Sequence, residues 1–254
     1  MAKSSSVFSR FVKAEAPVKQ RIIGASYGEP GSGKTTFWLG APGPIVIQSL
    51  DQGLEGVVEP FQKDKDIYIA EYDWSTLDKA DEALWEVAKT LRDQFTEDFK
   101  HAIQHARTVI WDKETDVWGL FRYAEFGPEE AGRPKDWEAL KARLRTLINM
   151  PKALDINFGM VQGMKNEWVS SVNKKTGTKG ITQSGNRLRA GMDDVESLVH
   201  INIEHVRENG EFSLRVGKAR GPGAHDIQDK ELPGLTFVEF ATLAFPDSTE
   251  EDWK

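Results

Sequence analysis

Residues Gly28-Glu29-Pro30-Gly31-Ser32-Gly33-Lys34-Thr35 match the phosphate-binding pattern Gly-x-x-x-x-Gly-Lys-Thr without deviation. No other stretch constrains the fold as much, because such a loop works only between a buried strand and a helix N-terminus. The flanks fit. Ile22, Ile23, Ala25 and Tyr27 form an apolar strand leading in, and a helix is expected from Lys34. Glycines let the backbone wrap so that successive N–H groups point inward at phosphate oxygens. The helix N-terminus adds partial positive charge. Residues 28–36, Thr36 included, are therefore expected to cradle a nucleoside triphosphate. Lys34 would reach the β- and γ-phosphates, and Thr35 would offer its hydroxyl to Mg²⁺.

Apolar runs and helical periodicity alternate along the rest of the chain. Strands are expected at about 21–27, 44–48, 67–70, 108–112 and 157–162. Leu77, Ala80, Leu84, Val87, Leu91, Phe95 and Phe99 recur at three- and four-residue steps and predict a helix over 76–105. Further helices are expected at 115–125 and 135–149, the latter with Trp137, Leu140, Leu144, Leu147 and Ile148 on one face. Strands 198–207 and 211–217 meet at Glu208-Asn209-Gly210, where Asn-Gly signals a hairpin. This order predicts an α/β fold, with a mostly parallel central sheet flanked by helices and a C-terminal β-hairpin. The 254 residues suffice for one large domain. We read 1–20 as a flexible polar arm, 21–245 as the core and 246–254 as a frayed acidic tail.

Composition removes several function classes. No apolar run approaches the ~18 residues of a membrane span, so no membrane partner is expected. The absence of cysteine excludes disulfides, thiolate catalysis and Cys-ligated zinc, and fits a reducing cytoplasm. The five histidines are scattered and make no metal cluster. Net charge is −7, but charge is unevenly spread. Between Lys165 and Gly191 the cations Lys165, Lys174, Lys175, Lys179, Arg187 and Arg189 face a single acid, Glu167. Glycines and asparagines fill the same stretch, which reads as a long mobile basic loop over 166–191, either a solvated surface loop or a grip on a polyanion backbone.

In parallel sheets, sites lie at the carboxyl ends of the strands. Asp112 ends one apolar strand, where a carboxylate would hold Mg²⁺. Asp51 follows another, and is either a base that orients water or a turn residue before Gln52-Gly53. Gln162 ends the strand before the basic loop. Its amide either binds the γ-phosphate and signals to that loop or is uninvolved.

This sequence of features, closing with Gly217-Lys218-Ala219-Arg220, resembles the RecA-like core ATPases over about residues 20–220. It is most similar to short phage-encoded members linked to single-strand annealing and recombination. The nearest stretches are Tyr27–Thr36 and Val109–Trp118. The resemblance implies ATP and Mg²⁺ as cofactors and single-stranded DNA as partner. It also implies a homo-oligomer, ring or filament, acting in the bacterial host cytoplasm, with a phage or host single-strand-binding protein as a further partner. Residues 166–191 match the family's second DNA-contacting loop. Lys218 and Arg220 match cations that reach a neighbouring subunit's γ-phosphate. Asp51 stands where the family usually has a glutamate that activates water, which implies slow hydrolysis. Rings of the AAA+ type place Glu directly after the metal aspartate; here Lys113 intervenes and leaves Glu114 a lesser candidate base. Phe11-Val12-Lys13-Ala14 matches a Phe-x-x-Ala subunit tether. The expected function is ATP-dependent single-stranded-DNA binding with DNA-stimulated ATPase activity. A replicative helicase or helicase loader, a small-molecule P-loop kinase and a nucleotide-binding protein that barely hydrolyses are the alternatives.

Overall fold

A computed structural model describes residues 19–74, 77, 84–128, 136–172 and 179–254. The chain runs β1 (Ile23–Gly28), α1 (Lys34–Leu39), β2 (Ile45–Ser49), β3 (Ile67–Glu71), α2 (Leu84–His105), β4 (Thr108–Asp112), α3 (Glu114–Phe126), α4 (Trp137–Asn149) and β5 (Asn157–Gln162). Then follow β6 (Met164–Val172), β7 (Lys179–Arg189), α5 (Val195–Leu198), β8 (Ile201–Glu208), β9 (Glu211–Lys218), α6 (Ala224–Ile227), β10 (Lys230–Pro233) and α7 (Phe237–Ala244).

Eight strands form one sheet in the order β10-β9-β8-β1-β5-β4-β2-β3. From β8 to β3 all neighbours are parallel, while β9 and β10 add antiparallel at one edge. The α/β class, the mostly parallel sheet and the C-terminal hairpin are thus as the sequence led us to expect. The central strands read as unbroken apolar runs because they bury both faces. Val109, Trp111, Phe158 and Met160 point into the core under α2, α3 and α4. Ile110 and Val161, one residue out of step, point into the opposite core under α1 and α7. Trp137 and Phe126 are partly buried and pack against the core under α2, α3 and α4. Among the described residues no helix is long and apolar enough to cross a membrane.

Two expectations change. The stretch expected as an irregular loop contains an antiparallel ribbon, β6 paired with β7 and separate from the main sheet. Trp168, Val169, Ile181 and Thr182 are strand formers that outweigh the glycines. The pairing shifts between Asn166 and Trp168, where Glu167 accepts from Ser184 Oγ and from Asn186 Nδ2. The acidic tail is not frayed. Thr249 and Asp252 form a capping box, and Trp253 is buried against Phe237 and Phe245. One large aromatic outweighs the charges, which stay on the solvent side. Of the expected arm 1–20 only Lys19 and Gln20 are described; Phe11 and Ala14 lie outside the described residues, as do 75–76 and 78–83 of the helix expected to start at 76.

Candidate nucleotide site

The octet forms the turn between β1 and α1. Gly28 must be glycine, since a Cβ there would lie 2.3 Å from the His205 carbonyl oxygen of neighbouring β8. Lys34 folds back on the loop, its Nζ donating to the carbonyls of Gly28 (3.0 Å) and Glu29 (2.8 Å), with Ser32 Oγ at 3.5 Å. Burial lowers its pKa, partly offset by Asp112. Pro30, Gly31 and Gly33 complete the turn, and Thr35 and Thr36 follow Lys34 in the first turn of α1.

Sheet register gathers the other candidates. Tyr27 pairs with Gln162, Asp112 with Val161, and Ser49 with Asp112, so these strand ends share one edge. Thr35 Oγ1 donates to Asp112 Oδ2 at 2.9 Å. Burial, then the neighbouring Asp51 carboxylate, pushes Asp112 up to about 6. A hydroxyl and a buried carboxylate with a like charge beside it form a donor set that suits a hard cation such as Mg²⁺. Asp51 Oδ2 is ion-paired with Lys113 Nζ at 2.5 Å, and Asp51 Oδ1 accepts from Gly53 N–H at 3.1 Å. Asp51 therefore sits in the site, but both of its oxygens are engaged.

Gln162 is fully buried, and its Nε2 donates to Glu114 Oε2 at 2.7 Å. Glu114 Oε1 accepts from Met192 N–H at 3.1 Å, just past the ribbon. Burial pushes Glu114 up to about 7, and its enclosure removes it as a base for solvent water. The amide that the sequence left either to a phosphate or uninvolved thus donates to a carboxylate, while Gln162 Oε1 is buried without a partner. The Glu114 clasp was missed from sequence, because nothing local to residue 114 marks a partner 48 residues away.

Beneath the loop, His205 Nε2 shares Ser26 Oγ (2.9 Å) with the Trp38 indole N–H (3.0 Å). Burial, helped by Lys34, holds His205 down at about 3. Its ordinary value is near 6.5, so between pH 6.5 and 3 the unfolded chain binds a proton that the fold refuses. Stability is full above pH 6.5 and falls with acid, by about 2 kcal/mol at pH 5 from this residue. His200, lowered to about 4 by burial and nearby cations, adds in the same direction. Urea unfolding at pH 7 and pH 5 should show the loss narrowing in His205→Gln; an unchanged pH difference would refute this assignment.

The basic residues divide. Lys218 pairs with Asn202 near the start of β8, and its Nζ reaches the Ser197 carbonyl at 3.2 Å. Lys218 and Arg220 both lie beside His200, at the end of the sheet opposite the phosphate loop, so neither reaches it within this chain. In the ribbon, Lys165 pairs with Asp193 (3.7 Å), Arg187 with Glu29 of the loop (3.4 Å) and Arg189 with Glu196 (3.6 Å). Arg189 is largely enclosed at the ribbon's root, over the Tyr27 ring. Lys174 and Lys175 lie outside the described residues, and only the backbone of Lys179 is described. The ribbon also exposes apolar side chains, Trp168 at 60% and Ile181 at 70%.

No family description matches this chain, and no curated protein matches it in sequence. Among solved structures it is similar to the RadB recombinase at 12% identity, covering 78% of this chain and 81% of that one, with a TM-score of 0.46. It is also similar to a prototypical ATPase from the type III secretion system of pathogenic bacteria, at 17% identity over 72% of this chain and 52% of that one, with a TM-score of 0.37.

Proposed function

We propose that this chain is an ATP-dependent single-stranded-DNA-binding protein of a RecA-like, phage recombination or annealing type. The observation that supports it most is the join between loop and ribbon: Arg187 holds Glu29, while Gln162 and Glu114 tie the end of β5 to Met192. A change at the phosphate loop is then felt where the basic ribbon is rooted.

Lys34 binds the β- and γ-phosphates of ATP in exchange for the Gly28 and Glu29 carbonyls. Thr35 and Asp112 would hold Mg²⁺, which would supply positive charge at the site. Asp51 orients water, and its pairing with Lys113 keeps hydrolysis slow. Gln162 leaves Glu114 for the γ-phosphate, and the ribbon shifts. With Arg189 enclosed and Lys165 and Arg187 paired, DNA is gripped mainly by Lys174, Lys175 and Lys179, with Trp168 stacking on bases. Lys218 and Arg220 act on a neighbouring subunit's phosphates. A groove of about 480 Å³ between edge strand β3 and α2, with Tyr68, Ile69 and Ala102 in its walls, suits Phe11 of another copy's arm. The bacterial host cytoplasm and a single-strand-binding protein partner follow from the same proposal.

Lys34→Ala is expected to remove ATP binding and ATP-dependent capture of an oligonucleotide together, by more than about tenfold. In the unaltered protein, oligonucleotide should stimulate ATP turnover, and binding should weaken steeply between about 50 and 200 mM salt. Turnover and particle size that ignore single-stranded DNA at low salt would end the proposal. A closed hexamer with strand displacement would favour a helicase or loader instead. A DNA-indifferent monomer that phosphorylates a small acceptor would favour a kinase.

A further inference from the structure

The tip of the β8–β9 hairpin rests on the phosphate loop. Asn209 (φ 52°) and Gly210 (φ 88°) close a two-residue turn, and Arg207 faces Phe212 across the strands. Phe212 shares a strand face with Leu214 and Val216, which belong to the core under α1. Its ring continues that row past the sheet to the helix N-terminus. A Cβ on Gly33 would lie 3.6 Å from Phe212 Cδ1 and 3.7 Å from Cε1, and one on Gly234 would lie 2.8 Å from Phe212 Cβ and 2.9 Å from its carbonyl oxygen, so the chain passes close on both sides. The residue is therefore held in place, yet it is 46% exposed. The Arg207 guanidinium lies over the ring, 5.3 Å from its centroid, and Arg207 Nη1 is 3.8 Å from the Cβ position of Gly31. Neighbouring arginines are neutralised, Arg215 by Glu204, Glu208 and Glu231, and Arg187 by Glu29. Among the described residues no carboxylate lies within ion-pair distance of Arg207.

Strand order gives this pair a direction. On one side of β1 stand β5 and β4, which bring Gln162 and Asp112; on the other stand β8 and β9. A triphosphate whose terminal phosphate points at Asp112 must send its sugar and base the other way, toward the hairpin. We propose that Arg207 and Phe212 form the platform on which the nucleobase of the bound nucleoside triphosphate stacks. The inference rests on the proposed use of residues 28–36 as a nucleotide site. Stacking recognises π surface and not hydrogen-bonding edges, so purines bind better than pyrimidines, and adenine and guanine are poorly distinguished.

The test is calorimetric titration of the full chain with Mg-ATP and, separately, with Mg-tripolyphosphate, which lacks sugar and base. Phe212→Ala should weaken ATP about tenfold and leave tripolyphosphate within about twofold, the range of one stacked base. Arg207→Ala should weaken ATP in the same selective way, and Phe212→Trp should retain it. The platform is overturned if Phe212→Ala binds ATP normally, or if it loses ATP and tripolyphosphate equally. Lys34→Ala separates the two levels. If it loses both ligands while Phe212→Ala loses neither, the platform alone fails. If it binds both normally, the nucleotide site fails and takes the platform with it.

Discussion

Trp38→Ala is expected to destabilise the protein by about 3–5 kcal/mol, the range for removing a large aromatic from a core that cannot collapse onto the gap. Trp38 lies on α1, directly after the phosphate loop, and is fully buried. Gly24 of β1 and Gly159 of β5 sit side by side in the sheet and leave a floor for its indole. A Cβ on Gly159 would lie 2.3 Å from Trp38 Cδ2, and one on Gly24 would lie 3.2 Å from Cζ2. Backbone on both strands fixes that floor, so relaxation cannot fill the hole. Trp38 also donates to Ser26 Oγ and contacts Phe37 and Phe237. The variant should bind nucleotide more weakly as well, because the indole sets where the N-terminus of α1 stands. Urea unfolding and nucleotide titration together measure this. A loss below about 1 kcal/mol would mean that the site collapses after all.

Gly191→Ala is expected to cost about 3 kcal/mol and to lower the melting temperature by roughly 6–12 °C. Gly191 has φ 94°, a conformation that alanine adopts only with strain. Its Cβ would lie 2.0 Å from Glu114 Oε2 and 2.9 Å from Gln162 Nε2. A single methyl therefore drives apart the buried Glu114–Gln162 pair and leaves a carboxylate without its donor. Glu114→Gln, which keeps the shape, should cost less. Gly191→Ala also breaks the link from β5 to the ribbon, so under the proposed function ATP-dependent DNA capture should fall more than ATP binding does. Thermal melts read the first effect, and paired titrations with and without an ATP analogue read the second. A melting temperature within about 2 °C of the unaltered protein would contradict the clasp.

Much of this architecture was legible because it depends on short-range chemistry. The octet at 28–35 dictated strand, turn and helix. Apolar runs at 108–112 and 157–162 could only be strands buried on both faces, and Asn209-Gly210 could only be a tight turn. The α7 start was also written locally, in Thr236 and Glu239, which form a capping box, though the expected elements did not include that helix. Composition misled at the ribbon and at the tail. Glycines and lysines between 165 and 191 resemble a loop until strand formers on both arms find each other. The acids around 250 resemble a frayed end until Trp253 reaches Phe237.

The sequence by itself determined the Gly-rich turn between β1 and α1, the order of strands and helices and the α/β class, since each follows from residues within a few positions of one another. Only the tertiary structure decided who meets whom. It gave Gln162 to Glu114, Asp51 to Lys113 and Arg187 to Glu29, set Phe212 against Gly33, and carried Lys218 and Arg220 to the far end of the sheet. A polar side chain takes whichever partner the register of distant strands brings within hydrogen-bonding reach, and that register is fixed by burial of the whole sheet and not by any neighbour in sequence.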